Sequence, residues 1–192
     1  LAAAAKDGNI QIVAGIARGD PPADDAMTFH PDGRVQRYAK RHLVPGLETQ
    51  FVPGSAPGLL GSGRAVTICK DMDFPATIRG DAQSGIRVMA VPAGDFVRDG
   101  WIHARMAILR GVENGFAVVR AANKGLLTVS DAQGRVIARK AYAPRGIYSV
   151  VASVPPGPGP TLYTRIGDVL AWAAIAGAFL LGVLTLRAKQ RA

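Results

Sequence analysis

From Gly8 onward the apolar residues fall into runs of strand length, each closed by Gly, Pro or Asp, which predicts a strand-rich chain with few helices. Ile10, Ile12, Val13 and Ile16 crowd residues 9–17 and predict a buried strand ending in the loop Gly19-Asp20-Pro21-Pro22. Residues 27–30 and 34–40 read as a hairpin around Pro31-Asp32-Gly33, with Lys40 at the end of its second strand. Residues 46–63 are rich in Gly, Pro and Ser and long for a structureless connection, and their apolar tips Phe51, Val52, Leu59 and Leu60 suggest a lid. Residues 65–69 form a short apolar strand that ends in Cys69, and Pro75 suits the first turn of a following helix, so Cys69 occupies a strand-to-helix turn.

A buried strand is expected over 86–91, followed by the clearest helix of the globular part. Ile102, Met106, Leu109 and Val112 recur at helical spacing between a capping Asp99 and a terminating Gly115, which predicts an apolar stripe packed on a sheet. Strands follow over 116–122, 126–130, 135–138 and 147–154, with Asp131-Ala132-Gln133-Gly134 turning the second into the third. Strands interspersed with helices and hairpins in this proportion imply a mixed α/β layered fold.

Residues 155–160, Pro/Gly-rich, mark the end of the globular part. Beyond them residues 169–186 are uncharged and apolar, near the lower limit for crossing a bilayer, and Ile166 and Gly167 extend the run just enough. A buried C-terminal helix normally keeps a polar face, and this run has none; Arg187, Lys189 and Arg191 follow it at once. A transmembrane helix is therefore expected, with its basic end in the cytoplasm and the globular part on the outer, periplasmic side. At the other end, residues 1–5 followed by Lys6, Asp7 and Gly8 read as the last turns of a helix, so the chain is expected to begin in mid-fold.

The net charge of +9 is compatible with an anionic partner, but the cations are scattered and no nucleic-acid motif appears, so nucleic acid is not expected. The single cysteine, Cys69, excludes an intrachain disulfide and a multi-cysteine metal site. The pairs Asp24/Asp25 and Asp71/Asp73 lack a third ligand at convincing spacing and read as surface carboxylates, so no metal and no cofactor is expected. A lone Cys is usually a small buried hydrophobe. Its surroundings change that reading: a strand-to-helix turn aims helix amides at the sulfur, and Lys40 ends a strand that can reach the same sheet edge.

The segment Tyr38-Ala39-Lys40-Arg41-His42-Leu43-Val44-Pro45-Gly46-Leu47-Glu48 and the segment Val66-Thr67-Ile68-Cys69-Lys70-Asp71-Met72-Asp73-Phe74-Pro75 resemble the lysine and cysteine motifs of the carbon–nitrogen hydrolase (nitrilase) superfamily. The stretch from Trp101 through Glu113 and Asn114 to Gly125 resembles the helix and strand that follow its nucleophile, and the tail from Pro160 to Asp168 ahead of an apolar run is similar to the apolipoprotein N-acyltransferase family. The resemblance implies a four-layer α-β-β-α sandwich. It divides the chain into a catalytic domain over 1–154 whose N-terminal part lies outside the sequence, a linker over 155–166, a transmembrane helix over 167–186 and a basic cytoplasmic tail over 187–192.

It also implies Cys69 as nucleophile, Lys40 as oxyanion-stabilising cation and Glu48 as the accessory carboxylate that holds Lys40 or the acyl intermediate. The superfamily's general-base Glu lies upstream of the region that begins here, and neither of the two glutamates, Glu48 and Glu113, stands at its position. Asp71 takes the place of a Glu that follows the nucleophile, and with Phe51 and Glu113 it is expected on the substrate side. The implied reaction passes an acyl chain from a phospholipid through a thioester on Cys69 to the amine of a lipoprotein at the inner membrane. The rivals are a membrane-tethered amidase or nitrilase that uses water, and a non-catalytic membrane-anchored remnant. A papain-like Cys/His pair with His42 or His103 is weak, because both histidines already sit inside the superfamily pattern.

Overall fold

The computed structural model describes residues 1–144 and 146–191, with the side chains of 185, 188, 190 and 191 left out of the description. After a short helix α1 (Ala2–Asp7) the chain enters β1 (Ile12–Gly19), β2 (Pro22–Phe29) and β3 (Val35–Ala39), an antiparallel three-stranded sheet in sequence order. A second sheet of six strands runs β4 (Gly58–Gly61), β5 (Arg64–Val66), β6 (Val88–Gly94), β7 (Ala117–Asn123), β8 (Leu126–Ser130) and β9 (Val136–Ala141). Its centre, β5-β6-β7, is parallel, and the crossovers carry α2 (Pro75–Ala82) and α3 (Gly100–Asn114). Helices α4 (Leu162–Ile166) and α5 (Val169–Arg191) close the chain.

The period of two along the strands builds the layers. On β6, Met89 and Val91 join Ile78, Ala107 and Phe116 beneath the helices, whereas Ala90 packs with Ala26, Tyr38, Val66 and Ile68 between the two sheets. Sheet, sheet and helices give three layers of a mixed α/β nitrilase-like fold. The expected fourth layer, on the outer face of β1–β3, is not formed by the described residues, since no helix there packs broadly on that sheet.

Several local expectations need correction. The loop expected over 19–22 is present but shorter, a turn at Asp20-Pro21 between the end of β1 at Gly19 and the start of β2 at Pro22, and β1 is half-exposed at the edge of its sheet. Leu59 and Leu60 are no lid: they belong to β4, and Leu60 is buried between the sheets. The large residues of α3 do not face the sheet either; Ala104, Ala107 and Gly111 do, while Ile102, Leu109 and Val112 are exposed. Close approach decides this, since a Cβ on Gly111 would stand 2.7 Å from the Phe116 carbonyl. Residues 147–154 form no strand; Ile147 and Val151 project into solvent.

Among the described residues no helix is long and apolar enough to cross a membrane, so the expected span over 167–186 is not shown. Helix α5 nevertheless buries almost nothing: Leu170, Trp172, Phe179 and Leu181 are each exposed. Of the basic tail, Ala188, Gln190, Arg191 and Ala192 lie outside the residues described in full.

Candidate active site

Cys69 lies just beyond the carboxyl end of β5, at the start of a 3-10 turn over Cys69–Asp73 that leads directly to Pro75 at the first position of α2. Its backbone takes φ +42°, a conformation that costs a non-glycine residue about 1–3 kcal/mol and persists only where the surroundings impose it. The turn leaves the thiol half-buried, 3.5 Å from the Gly94 carbonyl at the end of β6, in a cavity of about 200 Å³ lined also by Val44, Lys70, Phe96 and His103.

Lys40 comes from the other sheet. It follows β3 and is 2% exposed, and its Nζ stands 2.6 Å from Glu48 Oε1 and 3.1 Å from Asp24 Oδ2. Glu48 is itself pinned, because its second oxygen accepts the Val44 amide at 2.7 Å. These residues, with Phe51 and Ile68, line a cavity of about 530 Å³ whose rim includes Gly94, the residue that also borders the Cys69 cavity. No hydrogen bond joins Lys40 to Cys69, yet each lies within the other's electrostatic reach.

Burial, the largest influence on Cys69, pushes its thiol above the ordinary value; Asp95 adds to this, while Lys40, Arg120 and the Gly94 contact pull back without cancelling it. The thiol therefore holds its proton at neutral pH and needs a base to release it. Burial works to depress Lys40, but the Glu48 hydrogen bond, the Asp24 charge and Cys69 outweigh it, so the ammonium is held above the usual lysine range. Burial likewise raises Asp24, against the pull of Lys40. The outcome is a permanently charged cation whose two acids fix its position.

Two further carboxylates frame the turn. Asp71 is completely buried: it accepts the Tyr38 hydroxyl at 2.7 Å, the His42 amide at 2.8 Å and the Ile68 amide at 3.1 Å, with His42 Nδ1 at 3.0 Å. It thus ties the segment after Lys40 to the segment before Cys69. Asp71, expected on the substrate side, thus has both oxygens engaged by the protein, and it lines neither the Cys69 nor the Lys40 cavity. Asp95, next to Gly94, is paired by Arg120 at 2.6 and 2.9 Å and by His103 Nδ1 at 3.2 Å.

Glu113 does not join the site. It pairs with Arg110 at 3.0 Å near the far end of α3, where its carbonyl accepts the Thr161 hydroxyl that caps α4. Ten residues separate it from His103, about 15 Å along the helix. The sequence reading also missed that Asp24 and Asp25 are not idle surface groups. Strand alternation sends Asp24 to Lys40 and buries Asp25 between Arg18 and Arg37, at 2.5 and 2.8 Å. Only the pairing register of β2 could have revealed this. Among the described residues no three His, Cys, Asp or Glu are grouped to hold a metal ion.

No family model matches the sequence. An apolipoprotein N-acyltransferase of Geobacter metallireducens is 30% identical over 182 residues, covering 86% of this chain and 34% of that protein. Another from Bradyrhizobium diazoefficiens is 33% identical, covering 78% of this chain and 26% of its own length. This chain thus spans about a third of the curated relatives it matches. Among solved structures, an amidase from Nesterenkonia sp. AN1 with acrylamide added to its active-site cysteine superposes with a TM-score of 0.64 at 24% identity, covering 73% of this chain and 63% of that one; the likeness establishes the fold. Sequence relatives and fold agree: over most of its length the chain is similar to apolipoprotein N-acyltransferases, and it has the fold of the carbon–nitrogen hydrolases.

Proposed function

We propose that this chain carries the nucleophile and the oxyanion cation of a membrane-bound, cysteine-dependent N-acyltransferase. The observation that carries the reading is the meeting of two sheets at Gly94: a cysteine forced into the left-handed region on one side, and a buried, doubly anchored lysine on the other. In the reaction, a carboxylate base takes the Cys69 proton, and that base is by resemblance a Glu upstream of Leu1. The thiolate attacks the ester carbonyl of a phospholipid, and the S–C bond forms as negative charge grows on the carbonyl oxygen. Lys40 stabilises that charge, a contribution of roughly 3–4 kcal/mol for a well-placed donor. The C–O bond to glycerol then breaks, the departing oxygen takes the proton back, and a thioester remains. An amine attacks next; the C–S bond breaks, the amine proton passes to the base, and the amide leaves.

Glu48 and Asp24 serve as positioning residues for Lys40, and Asp71 holds the two motif segments together. Phe51 lines the cavity beside Lys40 and supplies apolar wall for an acyl chain. The apolar helix α5 is the membrane element: a helix with no polar face, exposed on all sides, has its natural partner in lipid, and Arg187 and Lys189 anchor its basic end on the cytoplasmic side.

Intact-mass measurement on the full-length protein in phospholipid vesicles tests this reading. A mass gain of one acyl chain on Cys69, discharged by a diacylglyceryl-cysteinyl peptide to give its amide, is the expected result. Discharge by water at the same rate with no amide formed identifies an amidase-type hydrolase, and absence of any adduct on a protein whose Cys69 alkylates normally identifies a non-catalytic remnant.

A further inference from the structure

A third hollow, of about 480 Å³, opens beside the other two and belongs to neither. Its walls include Lys124 in the β7–β8 turn, Arg139 and Lys140 on β9, Gly100 at the start of α3, and the aromatic rings of Trp101 and Tyr142. No acidic side chain lines it, and none of the three cations has an ion-pair partner among the described residues. The least exposed cations, Lys40, Arg41, Arg110 and Arg120, are each matched by a carboxylate, whereas these three are exposed and stand together around one hollow.

Two features of the backbone converge on the same place. Helix α3, fifteen residues long, begins here, and Asp99 at its N-cap makes no side-chain capping bond, so the helix start still directs uncapped amides and positive potential outward. Lys124 sits at φ +58°, a conformation that Gly or Asn adopts more cheaply in a two-residue turn. Its neighbour Gly125 lets the turn close on Asp95, where a Cβ would stand 1.9 Å from a carboxylate oxygen, and a Cβ on Gly100 would stand 2.8 Å from Gly125. Charged residues on an exposed edge strand such as β9 ordinarily serve to discourage edge pairing. That role accounts for Arg139 and Lys140 but not for a strained lysine on another turn, nor for the first residues of a helix, Gly100 and Trp101, in the wall of the same hollow. The ring of Trp101, held under the Arg105 guanidinium at 4.1 Å, adds an apolar flank suited to the boundary between headgroup and acyl chain.

We infer that this hollow seats the phosphodiester of a glycerophospholipid. The inference rests on the phospholipid-donor reading given above and adds to it where the headgroup sits. The placement fits the path to the sulfur: Asn123 lines the Lys40 cavity and Lys124, the next residue, lines this one. A phosphate held at Lys124 leaves the glycerol ester free to reach the carboxyl ends of β6 and β7, where parallel sheets present their ligand sites.

The test uses the full-length protein in vesicles and compares two donors, a diacyl phospholipid and the phosphate-free ester p-nitrophenyl butyrate. With Lys124→Ala, Arg139→Ala and Lys140→Ala combined, the ratio of kcat/KM for phospholipid to that for the phosphate-free ester is expected to fall about tenfold. The fall should be the same with phosphatidylcholine and phosphatidylglycerol vesicles, since both carry the phosphodiester. An unchanged ratio overturns the inference. So does a fall seen only with the anionic vesicles and erased by about 0.5 M salt, the mark of diffuse attraction. Inorganic phosphate competing as well as glycerophosphoglycerol assigns the hollow to free phosphate and overturns the lipid assignment. Should the triple variant misfold, Arg139→Gln and Lys140→Gln, both exposed, carry the comparison singly. If the native protein shows no Cys69-dependent turnover of either donor, the catalytic reading fails instead, and titration of glycerophosphoglycerol, read by the fluorescence of Trp101 in the hollow's wall, still decides the hollow: a saturable change in the native protein that the triple variant loses supports it, and no change in the native protein overturns it.

Discussion

Lys40 and Lys124 stand on either side of the sheet's carboxyl edge and are treated in opposite ways. Lys40 is buried and gripped by two acids that burial alone would leave costly, so its position is fixed before any substrate arrives. Lys124, Arg139 and Lys140 are exposed, unpaired and grouped around a hollow. A saturated buried cation is preorganised for charge that appears only during a reaction. Unsaturated surface cations are suited to charge that arrives with a ligand. The same residue type thus serves transition-state stabilisation in one place and recognition in the other, and the distinction is made by the carboxylates nearby.

The largest expected effect on that contrast comes from removing the sulfur. Cys69→Ala should lower acyl transfer by the full-length protein by at least about 10⁴-fold in a thioester-trapping assay, with phospholipid binding retained. Lys40→Ala should cost about 10²–10³-fold in turnover. The pH dependence of Cys69 alkylation supplies an independent reading. Burial already holds the native thiol above the ordinary range, and Lys40 pulls it down, so loss of Lys40 should move the alkylation profile further toward alkaline pH. A shift toward acid would show that Lys40 does not act on the sulfur.

Smaller effects separate positioning from chemistry. Asp71→Ala removes the acceptor for the Tyr38 hydroxyl and the amides of His42 and Ile68 and should cost about 3 kcal/mol, read as a lower denaturant midpoint. If stability is untouched while KM for phospholipid rises, Asp71 touches substrate after all. The smallest change should come from Lys124→Gly, which relieves the left-handed backbone and should stabilise the protein by about 0.5–1 kcal/mol while weakening phospholipid use. Stabilisation with no loss of phospholipid use would reduce Lys124 to an accident of the turn.

The two motif segments were legible because their chemistry is local. A cysteine ending an apolar strand six residues before a proline, and a lysine ending a hairpin strand eight residues before a glutamate, can be seen without knowing the fold. Helix α3 was legible in its ends, Asp99 and Gly115, but not in its buried face: spacing marks where large residues recur, whereas Gly111 faces the sheet because only a residue without a side chain fits against Phe116. The strand expected over 147–154 has the right residues and no partner, and pairing is a property of two segments.

By itself, then, the amino-acid order determined which segments bear the thiol and the ammonium group, the alternation that makes two sheets, and the apolar C-terminal helix. Tertiary structure alone decided that these groups border cavities that share Gly94, that Asp24 and Glu48 share one lysine, that Asp71 is engaged by Tyr38, His42 and Ile68 and Glu113 by Arg110, and that three cations stand together around one hollow. The physical reason is range. Strand period and turn chemistry act over a few neighbouring residues, while the balance of charge at a point depends on residues brought there from dozens of positions away, and only the packed sheets fix which ones those are.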